Sequence, residues 1–118
     1  MKTYRGKRTA AGASIFVEFI DARGIVVAPR LKHIVHHSPT GMEWGYGGSG
    51  PADTALSILA DHFDEKPTRA ALLSGTPQCW RYHQAFKWEF IAKLPRDQEW
   101  QITTKEIDSW VAQRAVLA

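Results

Sequence analysis

A chain of 118 residues, 44% apolar and 23% charged with a net charge of +3, has the length of one domain, enough apolar material for one core and the balance of an ordinary soluble protein. No apolar run approaches the roughly 18 residues of a membrane-spanning helix, and the basic start MKTYRGKRTAAG lacks the apolar stretch of a signal peptide. The single cysteine, Cys79, rules out an internal disulfide and suits a reducing compartment, so a cytoplasmic location is expected.

The charge is uneven. Within residues 1–40, Lys2, Arg5, Lys7, Arg8, Arg23, Arg30 and Lys32 stand against only Glu18 and Asp21, a balance of +5, and the remainder comes to −2. A basic first third is either a solvated sheet face or a surface for an anionic partner. Within it, TYRGKR at 3–8 reads as an edge strand. SIFVEFI at 14–20 and IVVAPRL at 25–31 flank DARG and read as a hairpin, with Gly24 supplying a positive φ. Ile15, Val17 and Phe19 form a clean apolar face and alternate with the mixed set Phe16, Glu18 and Ile20, as in an antiparallel sheet covered on one side. Pro29 puts its strand at an edge or ends it.

A helix is predicted after Gly50, with Pro51 at a first helical position and Asp53 complementing the positive helix end. Ala52, Ala55, Leu56, Leu59, His62 and Phe63 follow helical spacing and make one face apolar. Pro67 stops it. TRAALLSG at 68–75 reads as a short helix capped by Thr68 and closed by Gly75. FKWEFIAKL at 86–94 alternates as a strand, with Phe86, Trp88, Phe90 and Ala92 on one side. Thr103 and Glu106 form a capping box before a terminal helix whose stripe is Ile107, Trp110, Val111 and Arg114. These elements predict a single α+β domain over residues 1–118. It has an antiparallel sheet of about 3–4 strands packed by two principal helices.

The stretch WGYGGSGP at 44–51 invites a phosphate-binding reading. Gly45, Gly47 and Gly50 satisfy G-x-G-x-x-G, but no convincing strand precedes them and no parallel crossover follows, so a dinucleotide fold is rejected. Pro51 and Ala52 stand where a P-loop needs Lys and Ser/Thr. Two readings remain. Backbone amides at the helix start attract an anion, or the glycines supply positive φ and let Trp44 and Tyr46 pack close to the chain. Ser49 is expected to cap the helix, with Tyr46 and the loop backbone making any contacts.

WGYGGSGPADTALSIL, with YRG near the start, FKWEFIAKLP, and EWQITTKEI as W-x-I-T-x-x-x-I, resembles a family of short phage- and bacterium-encoded proteins known only by a domain-of-unknown-function label. The resemblance spans nearly the whole chain. It implies that Trp44, Gly45, Tyr46, Gly48, Ser49, Gly50 and Pro51 are the family's hallmark. It also implies a mobile-element setting, where small proteins block host defences or modulate regulation. It brings no catalytic pattern.

His33, His36, His37 and the pair Cys79 and His83 supply ligand types for zinc, but not its paired short spacings, so no metal or cofactor is expected. Cys79 or a serine beside a histidine would be needed for a hydrolase, and no nucleophile elbow is present, so no catalytic residue is assigned. Of five tryptophans, Trp88, Trp100 and Trp110 fit core positions. Trp44 and Trp80 are the candidates for exposed contact, Trp80 with Arg81 and Tyr82 beside it. The expectation is a non-enzymatic binding protein that occupies a host defence or regulatory protein. Its contact residues would be Arg5, Trp44, Tyr46, Gly48, Ser49, Gly50, Trp80, Arg81 and Tyr82. The alternatives are a binder of a nucleotide-like anion, with Trp44 or Tyr46 stacked on the base, and a nucleic-acid module using the basic first third with weak binding.

Overall fold

A computed structural model describes residues 1–117, with side chains through residue 115. Two residues turn β1 (Thr3–Thr9) back on β2 (Gly12–Ile20), with the Thr9 hydroxyl accepting from Ala11 N at 3.2 Å and Gly12 at φ +100°. A short β3 (Val26–Val27) and β4 (Trp100–Thr103) complete an antiparallel sheet in the order β3-β2-β1-β4. The expected edge strand is therefore interior. Tyr4 and Gly6 of β1 face the core, where Gly6 leaves room for the Trp100 indole that a Cβ would strike. Beyond Gly24 (φ +80°) the second arm of the predicted hairpin is broken at Pro29. Val17 N still donates to Pro29 O (2.8 Å) and Leu31 N to Ile15 O (2.9 Å), so the edge is ragged rather than absent.

The helices are α1 (Ser49–His62), α2 (Arg69–Ser74), α3 (Gln78–Glu89) and α4 (Thr104–Leu117), with a 3-10 turn at Ile91–Lys93 between α3 and β4. The α+β class holds, with three long helices instead of two. The strand predicted over 86–94 is the end of α3 and the 3-10 turn. Cys79, His83, Phe86 and Phe90 repeat at helical spacing, and starting the reading at Phe86 hid that period behind an alternation. Glu65 accepts from Gln78 N (3.0 Å) and Cys79 N (2.8 Å), capping a helix whose own N-cap, Pro77, has no side chain to do so. Thr68 accepts from Ala71 N at 3.1 Å and Gly75 is left-handed at φ +74°, as predicted for α2. Thr103 accepts from Glu106 N at 3.2 Å and starts α4, and the Glu106 carboxylate returns to the Thr103 hydroxyl.

Tyr4, Ile15, Val17, Trp100 and Ile102 of the sheet share one core with Leu56, Ile58, Leu59, Phe86, Ile107 and Trp110 of the helices. Every residue from Gly50 to Ala60 is buried, so α1 is wrapped all round rather than apolar on one face. Its three buried polar side chains, Asp53, Thr54 and Ser57, each hold backbone of the irregular stretch that precedes it. Ser57 accepts from Ile34 N (2.9 Å), Thr54 donates to Glu43 O (2.7 Å), and Asp53 accepts from the amides of His36, His37 and Ser38 at 3.2, 2.8 and 3.0 Å. A buried carboxylate with three N–H donors is satisfied. Asp53 thus clamps a loop instead of complementing the helix dipole.

Candidate interaction site at the glycine loop

The loop runs outward from Trp44, which is 0% exposed, packed edge-to-face on Trp100 (5.3 Å between centroids) and covered by the Arg8 guanidinium at 4.7 Å. Arg8 is itself held by Glu43 (3.0 Å) and by the Arg96 carbonyl (2.7 Å). Trp44 is a core residue, so its assignment as a contact residue is corrected, and it cannot stack on a base. Gly45, at φ +87°, donates its N–H to Ile91 O at 3.0 Å and fixes the loop to the 3-10 turn.

Past that anchor the glycines work by close approach. Gly47, Gly48 and Gly50 do not have positive φ. A Cβ on Gly47 would run into the Trp88 indole, one on Gly48 into the Tyr46 ring, and one on Gly50 into Glu43 and Tyr46. The Lys87 ammonium donates to Gly47 O at 3.3 Å and lies 4.4 Å from the Trp88 ring, while the Arg96 guanidinium lies 5.0 Å from the Tyr46 ring. Trp88 is 57% exposed and Tyr46 40%. Two aromatic rings, each paired with a cation, therefore lie outermost on a loop pinned by hydrogen bonds. Gly48 is the helix N-cap and Ser49 is the first, exposed residue of α1, so the capping role expected of Ser49 is corrected.

The other predicted contact residues are elsewhere. Trp80 begins α3, eight residues before Trp88 and so about 12 Å away along the axis. It is half-buried against His36, His37 and His83. Arg81 is exposed beside Tyr82 (6.0 Å to the ring), and Tyr82 is half-buried between Phe63 and Trp110. Arg5 lies on the sheet, bonded to Glu18 (3.2 Å) and Gln101. Trp88 and Arg96 were missed because a strand reading sends Trp88 to the core. The signal that finds Trp88 is the helical period of α3, which turns it away from Phe86, while no sequence signal marks Arg96, which lies beyond the 3-10 turn.

His36, His37 and His83 gather around Trp80, with His83 buried and the other two half-buried. His33 Nε2 meets Asp53 at 2.8 Å. His83 Nδ1 is 2.6 Å from the Trp80 carbonyl, so it carries the proton, and its Nε2 accepts from His37 Nε2 at 3.1 Å. Burial pushes both His37 and His83 below the ordinary histidine pKa. Burial and the Glu65 carboxyl push the Cys79 thiol up to about 12, far from a reactive thiolate. Among the described residues no three His, Cys, Asp or Glu side chains are grouped to hold a metal. No helix there is long and apolar enough to cross a membrane.

Neither a curated protein nor a solved structure matches this chain. The family described as "Family of unknown function (DUF6166)" matches it over residues 4–113, and the chain belongs to that family.

Proposed function

We propose that this is a small non-enzymatic binding protein that acts by occupying a partner protein stoichiometrically. The partner is a host defence or regulatory component, in the phage-type setting implied by the resemblance and the cytoplasmic location expected from the composition. The observation that supports this reading is Trp88, 57% exposed and laid on Gly47 beside Tyr46 and Arg96. Tryptophan, tyrosine and arginine are the residue types that anchor protein interfaces. Here Tyr46 belongs to a hydrogen-bonded loop, and Trp88 of α3 and Arg96 pack against it, so little side-chain order is lost on docking.

The test captures partners from a host lysate with the wild type, Tyr46→Ala and Trp88→Ala, then rebuilds the complex from purified components. The expected result is a complex of fixed stoichiometry that each variant weakens by at least about 2 kcal/mol, with melting temperatures within a few degrees of wild type. Capture indifferent to both substitutions would sink the proposal. So would a nucleotide that raises the melting temperature of the wild type but not of Tyr46→Ala.

A further inference from the structure

The helices cover only one face of the sheet, and the other face has its own construction. Register places Gln101 of β4, Arg5 of β1 and Phe16 of β2 in one cross-strand row, continued by a bridge from Phe16 to Arg30. Lys7, paired with Ser14, lies diagonal to Phe16. The Lys7 ammonium is 5.4 Å from the centre of the Phe16 ring, and the Arg30 guanidinium is 5.2 Å from it. A half-buried ring is thus flanked by a cation from β1 on one side and one from the bridged segment at Arg30 on the other. Arg5, Lys7 and Phe16 line an open depression of about 620 Å³ on this face, together with the carboxylates Glu18 and Glu99 at its margin.

The cations differ in what holds them. Arg5 is engaged by Glu18 and Gln101. Lys7 and Arg30 have no carboxylate partner among the described residues, and Arg30 bonds only the Ser14 hydroxyl, at 3.2 Å. Both side chains are exposed, so both are free to move from the ring to a ligand. Of the seven cations in residues 1–40, Arg5, Lys7 and Arg30 lie on this face, which sets one aromatic ring between two cations free of carboxylates, whereas Arg8 covers Trp44 and Lys2 binds Asp61.

We propose that this face binds single-stranded nucleic acid, with one base stacked on Phe16 and the flanking phosphates held by Lys7 and Arg30. An aromatic ring takes a base only when that base is unstacked, and two free cations suit a short run of backbone rather than a duplex. This surface is separate from the Tyr46 and Trp88 patch, and the proposal does not depend on the protein partner.

The test measures anisotropy of labelled oligo-dT and oligo-rU over a range of salt. Neutralising two phosphates gives a slope of about −1.4 in log K against log salt. Binding should weaken roughly tenfold or more in Phe16→Ala and fall to background in Lys7→Glu with Arg30→Glu. Those last two sites are exposed, so that variant stays folded and keeps the test decisive if Phe16→Ala does not fold. Trp88→Ala should bind oligonucleotide like the wild type. Preference for the deoxy or the ribo strand supports the proposal equally. It is overturned by no binding at low salt, by tighter binding to duplex, by affinity that the charge-reversed variant retains, or by a dimer that Lys7→Glu with Arg30→Glu dissolves.

Discussion

Trp44 and Trp88 lie on opposite sides of one glycine loop and have exchanged the places expected of them. Trp44 is sealed between Trp100 and Arg8, and Trp88 lies on the outside of the loop over Gly47. The inner side is built from hydrogen bonds and close packing, the outer side from two exposed rings and two cations. Composition does not distinguish them, since both are tryptophans beside glycine and basic residues. The difference comes from whether the backbone wraps the ring or the ring covers the backbone. A residue of the first kind carries stability, and one of the second kind is free to carry binding.

Trp44→Ala should show the largest effect, a loss of about 3–5 kcal/mol in a denaturant titration, because it empties a fully buried site. A loss under about 1 kcal/mol would mean that the inner side is not packed as described. Asp53→Ala should come next, costing on the order of 3 kcal/mol, since it leaves the amides of His36, His37 and Ser38 without their acceptor. Hydrogen exchange at those three amides should accelerate with it, and unchanged protection would contradict the clamp.

Acid should act on the same inner side. The depressed pKa values of His37 and His83 mean that the unfolded chain takes up protons first as pH falls below about 6.5. Their contribution to stability is fully present above that pH and is lost as pH falls toward the folded values. Asp53, His36 and Lys87 face this pair and set the balance of charge around it. His83→Gln should flatten the melting temperature between pH 7 and 5, and a profile as steep as wild type would remove the pair as the cause. The smallest change in stability belongs to the outer side. Gly47→Val should alter it by about 1 kcal/mol or less, because the indole it displaces is exposed and moves aside. It should nevertheless reduce partner affinity as Trp88→Ala does. A large destabilisation would show that Trp88 is part of the core.

The hairpin turn at Gly24, both caps of α2 and the capping box of α4 were legible because each depends on a few neighbouring residues. The α3 region was not. Phe86, Trp88 and Phe90 alternate as well as a strand does, and only the earlier Cys79 and His83 show that the period is helical. The site suffered with it. The loop sequence points to Tyr46, whereas strand alternation sends Trp88 to the core and the loop position sends Trp44 to the surface. Composition groups Arg5, Trp80, Arg81 and Tyr82 with the loop, but the fold distributes them over the open sheet face and the start of α3.

By itself, the sequence determined the α+β class, the one-sided apolar pattern of residues 15–19, both ends of α2, the start of α4 and the basic character of the first third. These follow from local backbone preferences and side-chain periodicity, which act over a few residues. Only the tertiary structure decided that the first strand is interior, because β4 pairs with it from the far end of the chain. The same holds for Asp53, which faces a loop rather than the helix end, and for the glycines at 47, 48 and 50, which admit rings rather than positive φ. Each depends on which distant group fills the space beside a residue, and sequence spacing does not encode that.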